Sequence, residues 1–166
     1  MKTLVIIPSR LSATRLPGKP LLKLNGLSII SHVFKKAEKA NIGEVIVAAE
    51  DQEIVDDVKN NGGQAIITKN YHKTGTDRIY EALLKFDSSK IDLVMNLQGD
   101  EPLMDIDDIK NLKSRMIENN SNLGTLASKI LDKKLYKNKS VVKVTTKESL
   151  TNTNFPEAVD FSRKKS

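Results

Sequence analysis

At 166 residues, 39% of them hydrophobic, the chain is long enough to bury one sizeable core, and residues 1–166 read as a single domain. With no cysteine and only two histidines, a disulfide framework and a thiolate metal centre are excluded, and little is left for a zinc site. The net charge of +6 fits nucleic acid or a small anion, but aromatics are 4%, tryptophan is absent and no nucleic-acid-binding signature occurs, so a small anionic substrate and no nucleic acid partner are expected.

The N-terminal apolar run is closed by Pro8, too short for a signal peptide or a membrane span, so the expectation is a soluble cytoplasmic protein with no membrane partner. Leu4, Val5, Ile6 and Ile7 form a short β-branched run that reads as a strand buried on both faces. After a proline-punctuated loop, Ile29, Ile30, Val33, Phe34 and Ala37 recur at helical spacing from a Ser28 cap, with Gly43 placed to stop the helix. Residues 45–49 form a second strand. Ile54, Val55 and Val58 mark a helix ended at Gly62-Gly63, and residues 65–67 a third strand. Thr76 and Asp77 are placed to cap a helix carrying Ile79, Ala82, Leu83 and Phe86 inward. Residues 92–97 form a further strand, and 105–120 an amphipathic helix through Ile106, Ile109, Leu112 and Met116.

The tail reads as two strands, 141–146 and 158–162, joined by a polar stretch, with no closing helix. Its cations, Lys129, Lys133, Lys134, Lys137, Lys139, Lys143, Lys147, Arg163, Lys164 and Lys165, read as a solvated face. Strands alternating with helices predict an α/β fold: a mostly parallel sheet with flanking helices, ligands lying beyond the carboxyl ends of the strands.

Three loops occupy such ends. The first, residues 8–20, holds Arg10, Arg15 and Lys19, which combine forked guanidinium donors with a movable ammonium suited to a triphosphate. It is not a P-loop, because Ala13 and Pro20 stand where that motif requires Gly and Ser or Thr. The second, residues 72–78, opens a helix whose backbone N–H groups can face an anion or a base edge. The third, residues 96–103, presents Gln98, Asp100 and Glu101, with Gly99 permitting close approach; a carboxylate such as Asp100 suits Mg²⁺ held against phosphate oxygens.

Together, IPSRLSATRLPGKPL, HKTGTDRIYEAL and NLQGDEPL resemble the 3-deoxy-manno-octulosonate (KDO) cytidylyltransferase family. The resemblance implies a Rossmann-like nucleotidyltransferase fold of the nucleotide-diphospho-sugar transferase type. It also implies a Mg²⁺-dependent homodimer that joins CTP and KDO into CMP-KDO for lipopolysaccharide synthesis in a Gram-negative cytoplasm. By position, Arg10, Arg15 and Lys19 would hold the triphosphate and act with Asp100, the metal ligand, in catalysis. Pro8 and Ser9 would lie against cytosine with Thr74, Gly75 and Arg78, while Gln98, with Arg163, would place the sugar.

The chain departs from the pattern in three ways. Ala48-Ala49-Glu50 stands where the family usually has Ala-Thr-Asp, Lys147 to Glu157 is longer than the usual hairpin turn, and the family's dimer-forming segment, sugar-binding histidine and second metal-binding aspartate are not found, implying a chain shortened at its C-terminus. Alternatives are a nucleotide-binding fragment without catalysis and a sialic-acid cytidylyltransferase.

Overall fold

The computed structural model describes residues 1–12, 16–150, 153 and 155–163, and the chain divides into two units, Met1–Asn111 and Leu112–Ser166. In the first, the initial apolar run becomes β1 (Thr3–Ser9), followed by a hairpin of β2 (Lys23–Leu24) and β3 (Leu27–Ser28). Next come α1 (Ile29–Ala40), β4 (Glu44–Ala49), α2 (Gln52–Asn60), β5 (Ala65–Ile67), α3 (Gly75–Lys85) and β6 (Leu93–Asn96). A further helix, α4 (Ile106–Glu118), runs across the division between the units.

The sheet order is β5-β4-β1-β6, and every pairing is parallel. β1 lies in the middle because its side chains are apolar on both faces. Leu4 and Ile6 share one face with Ile46, Ala48 and, from α3, Ile79 and Ala82. Val5 and Ile7, turned to the other face by the pleat, are equally buried. Each of these four side chains contributes about 1.5–3 kcal/mol by leaving water. β5, the third strand of the sequence reading, is an edge strand and only part-buried, unlike β1 and β4.

Three local expectations are corrected. Asn41, in the left-handed region at φ 49°, closes α1, not Gly43; a Cβ on Gly43 would lie 2.1 Å from the Thr3 carbonyl oxygen, so that glycine serves close approach to β1. Thr74, rather than Thr76, caps α3: its Oγ1 accepts from the Asp77 N–H at 3.1 Å while the Asp77 carboxylate accepts from the Thr74 N–H at 3.2 Å. The β2–β3 hairpin was hidden inside an expected loop, although Asn25 and Gly26, at φ 49° and 81°, make the Asn-Gly turn that favours such pairing.

The second unit contains α5 (Lys133–Lys137) and an antiparallel pair, β7 (Lys143–Thr146) and β8 (Ala158–Ser162), with an irregularity at Thr145/Thr146. α5 lies ahead of the two strands, where no element was expected; it is one short turn, capped by the Asp132 carboxylate on the Lys134 N–H, with no buried residue to create a periodic signal. Lys143 departs from the solvated face: it is buried, and its ammonium donates to the carbonyls of Asn138, Val141 and Arg163 at 2.7, 3.0 and 3.2 Å. The other described lysines of that run are exposed, whereas Lys164 and Lys165 lie outside the described residues.

Candidate active site

The chain runs β1, β4, β5 to one side and then returns across β1 to place β6 on the other. Loops leaving the carboxyl ends of β1 and β6 therefore diverge around a crevice, the place where open α/β sheets hold ligands. A cleft of about 310 Å³ lies there, lined by Pro8 and Ser9 at the end of β1 and Arg10 just beyond it, by Lys19 and Pro20, by Gln98, Gly99 and Asp100 after β6, and by His72, Lys73, Thr74, Gly75 and Arg78 around the start of α3. All three loops singled out in the sequence meet in it.

The first loop is closed at its neck, where the Gly18 N–H donates to the Leu11 carbonyl at 3.0 Å; Gly18 sits at φ 73°, which a glycine adopts without steric cost. Arg10 and Lys19 flank this neck. Arg15, within the loop, lies outside the described residues. Across the cleft the Lys19 ammonium donates to Asp100 Oδ2 at 2.9 Å, with both groups reachable from solvent. Gly99 gives the third loop its path: a Cβ there would come within 2.9 Å of the Pro8 carbonyl oxygen and 3.2 Å of Ile30 Cδ1. Gly75 lies against Pro8, where an added Cβ would meet the ring at an ordinary 3.5 Å.

Ser9 is the clearest mark of a binding function. The residue is buried in the cleft wall, and its Oγ has no hydrogen-bond partner among the described residues. A buried hydroxyl left unpaired is costly unless a ligand completes it.

Two predicted contacts have protein partners of their own. The Thr74 hydroxyl is engaged in the α3 cap, donating to Asp77 Oδ2 at 2.7 Å. The Arg78 guanidinium, 3% exposed, donates through Nη1 to Thr68 Oγ1 at 2.6 Å and to the Lys69 carbonyl at 3.4 Å, and through Nη2 to Glu50. Both residues still line the cleft. Arg163 belongs to the second unit, where its guanidinium donates to the carbonyls of Ser140 and Lys139 at 3.0 and 3.4 Å.

Beside the cleft, a more open groove of about 670 Å³ follows α3 and shares His72 and Lys73 with it. There the imidazole Nε2 of His72 pairs with Glu81, which also meets Lys85 at 2.7 Å and the Lys69 N–H at 3.0 Å. Burial pushes the Glu81 carboxyl up, but hydrogen bonds from Lys85, His72 and the Lys69 backbone, with the nearby Lys85 charge, outweigh it and hold the group down at about 2.

Comparison with known proteins agrees with this fold. Residues 4–165 match the profile of the cytidylyltransferase family. The chain belongs to that family. A 3-deoxy-manno-octulosonate cytidylyltransferase of Nitrobacter winogradskyi is 45% identical over 143 residues, covering 86% of this chain and 56% of the relative. One from Fusobacterium nucleatum is 44% identical over 145 residues, covering 87% and 58%. The structure of a CMP:2-keto-3-deoxy-manno-octonic acid synthetase complexed with CTP superposes with a TM-score of 0.81 at 33% identity, covering 99% of this chain and 65% of that one. The chain thus spans a little over half the length of the curated relatives it matches.

Of the residues lining the cleft, Pro20, His72 and Lys73 lay within the loops singled out in the sequence but were assigned no role there. Sequence reasoning also passed over the acidic pair just behind the wall, where Glu50 Oε1 accepts from Ser12 Oγ at 3.0 Å and Asp51 Oδ2 from the Leu11 N–H at 2.8 Å. The strand-end rule would have flagged both, since they directly follow β4.

Proposed function

We propose that the chain transfers CMP from CTP to 3-deoxy-D-manno-octulosonate, forming CMP-KDO and pyrophosphate. The observation that carries this is the cleft at the sheet's switch point, lined by Arg10, Lys19 and Lys73 together with the carboxylate of Asp100, beside a Ser9 hydroxyl that has no partner among the described residues. The names of the curated relatives support the choice of sugar.

In this reading the cytosine end lies against Pro8, Ser9 and Gly75, and the triphosphate runs toward Arg10 and Lys19, with Arg15 from the same loop. The sugar's anomeric hydroxyl attacks the α-phosphorus in line; the new O–P bond forms as the bond to pyrophosphate breaks. Arg10 supplies forked donors to phosphate oxygens, and Lys19 a point charge that can follow the leaving group. Gln98 places the sugar. Positioning and preorganised charge carry most of the rate.

A divalent metal fits this donor set, though sparsely. No group of three metal-ligating side chains occurs among the described residues, so Asp100 would supply one carboxylate while phosphate oxygens and water complete the shell, the usual habit of Mg²⁺. The Lys19 ammonium at 2.9 Å already marks Asp100 as a place where a cation sits. When bound, Mg²⁺ would offset the charge of the phosphate oxygens and lower the pKa of the attacking hydroxyl. The same reading assigns the product to lipopolysaccharide synthesis in a Gram-negative cytoplasm and the working form to a homodimer. No described helix is long and apolar enough to cross a membrane.

A second reading, nucleotide binding without turnover, is favoured by the small number of metal ligands among the described residues. Calorimetric titration with CTP and Mg²⁺, with UTP and ATP as controls, followed by a pyrophosphate-release assay with KDO, tests both. CTP-selective binding with release is expected; binding without release selects the second reading, and no binding overturns both.

A further inference from the structure

Arg78 is buried, yet it lies in the wall of a cleft assigned to a polyanion. A buried guanidinium is tolerated only when its charge and donors are met. Thr68 and the Lys69 carbonyl meet the Nη1 side, and Thr68 is itself held by the Ala49 carbonyl at 3.0 Å, so the guanidinium is braced against the end of β4. The charge is met by Glu50.

Glu50 does more than compensate this charge. One carboxylate oxygen, Oε2, takes Arg78; the other, Oε1, takes Ser12 Oγ at 3.0 Å in the arginine-bearing first loop. Its neighbour Asp51 stands at the position that would cap α2, but makes no capping bond and accepts from the Leu11 N–H at 2.8 Å instead. Leu11 is therefore fixed from both sides, by Asp51 at its N–H and by Gly18 at its carbonyl, and Arg10 and Lys19 leave from that fixed point.

We propose that Glu50 is a positioning residue of the cleft, holding Arg78 against the wall with one oxygen and tethering the first loop through Ser12 with the other. Like the functional reading on which it rests, it concerns nucleotide affinity. Glu50 does not line the cleft; it acts by ordering, before the nucleotide arrives, a loop whose ordering would otherwise oppose binding.

The test is calorimetric titration of the chain with CTP and Mg²⁺, paired with thermal denaturation, for the wild type, Ser12→Ala, Ser12→Thr, Glu50→Asp and the Ser12→Ala/Glu50→Asp double variant. Aspartate retains a carboxylate at this position but is one methylene too short to meet Arg78 and Ser12 together. Ser12→Ala and Glu50→Asp are each expected to raise the Kd for CTP roughly three- to tenfold with Tm little changed, the size of one ordinary solvent-exposed hydrogen bond lost. Because both break one link, the double variant should be weaker than the poorer single variant by no more than about twofold. Ser12→Thr, which keeps the hydroxyl, should bind as the wild type does.

Wild-type affinity in both single variants overturns the proposal, as do fully additive losses, which would mean separate routes. A fall in Tm without a change in Kd overturns it too, by reducing Glu50 to a structural partner of Arg78. A wild-type chain that does not bind CTP overturns the functional reading and this inference together, and that result is distinct because no variant is needed to see it.

Discussion

At the scale of single residues, Lys19 and Asp100 carry the clearest separation of function from stability. Their ion pair, 2.9 Å long and open to solvent on both sides, contributes at most about 1 kcal/mol to folding. Replacing Asp100 by Asn should therefore leave the thermal midpoint nearly unchanged while pyrophosphate release falls by orders of magnitude, because the carboxylate that faces the cation is gone. Turnover that survives at saturating Mg²⁺ would remove Asp100 from the machinery. Gly99 predicts the reverse balance. A methyl group there meets the Pro8 carbonyl at 2.9 Å, and Ile30 Cδ1 at 3.2 Å, so Gly99→Ala forces backbone apart and should cost about 1–3 kcal/mol in a denaturation experiment as well as weakening CTP. The cleft positions of Pro8, Ser9, Arg10, Lys19, Gln98 and Asp100 were legible because they follow strands whose apolar runs are plain in the sequence. The engagement of Arg78 was not, since its partner Glu50, 28 residues away, is fixed by strand order and leaves no local pattern.

At the scale of elements, α3 shows where periodicity stops being informative. Its inward face, Ile79 and Ala82, was legible from spacing, and its start was misplaced by two residues because Thr74, Thr76 and Asp77 are all plausible caps until the backbone path is known. The β2–β3 hairpin escaped for a related reason: strands of two residues have no period, and only the Asn25-Gly26 turn betrays them. The outer side of α3 carries a charge cluster with a pH signature. Glu81 is held at about 2 against an ordinary 4.5, so its folded-state pKa is depressed. Stability from this source is complete above about pH 4.5 and is lost as the pH falls toward 2. The difference in unfolding free energy between wild type and Glu81→Gln should shrink across that window and vanish near its lower end. A difference that stays constant through the acid limb would show that Lys85 and His72 favour the glutamate only by shape.

At the scale of the whole molecule, the two units differ in kind. The first has a four-stranded parallel sheet with a central strand buried on both faces. The second has a two-stranded pair in which β8 is almost wholly exposed, with Phe161 and Val159 open to solvent and Leu123 and Leu131 nearly fully so. A lone two-stranded ribbon is marginal in water, and its unpaired edges invite another chain. Amide hydrogen exchange should therefore divide the molecule: β1 and β4 should exchange only through near-global opening, whereas β7 and β8 should exchange orders of magnitude faster in dilute solution. Raising the protein concentration should then slow β7 and β8 while leaving β1 and β4 unchanged, because association covers exposed apolar side chains and satisfies edge strands. Sedimentation velocity on the same samples should show larger species over the same range. If β7 and β8 prove as protected as β1 in a monomer at every concentration, the ribbon is stabilised within its own unit by packing stronger than its exposure implies, and the association prediction fails with it.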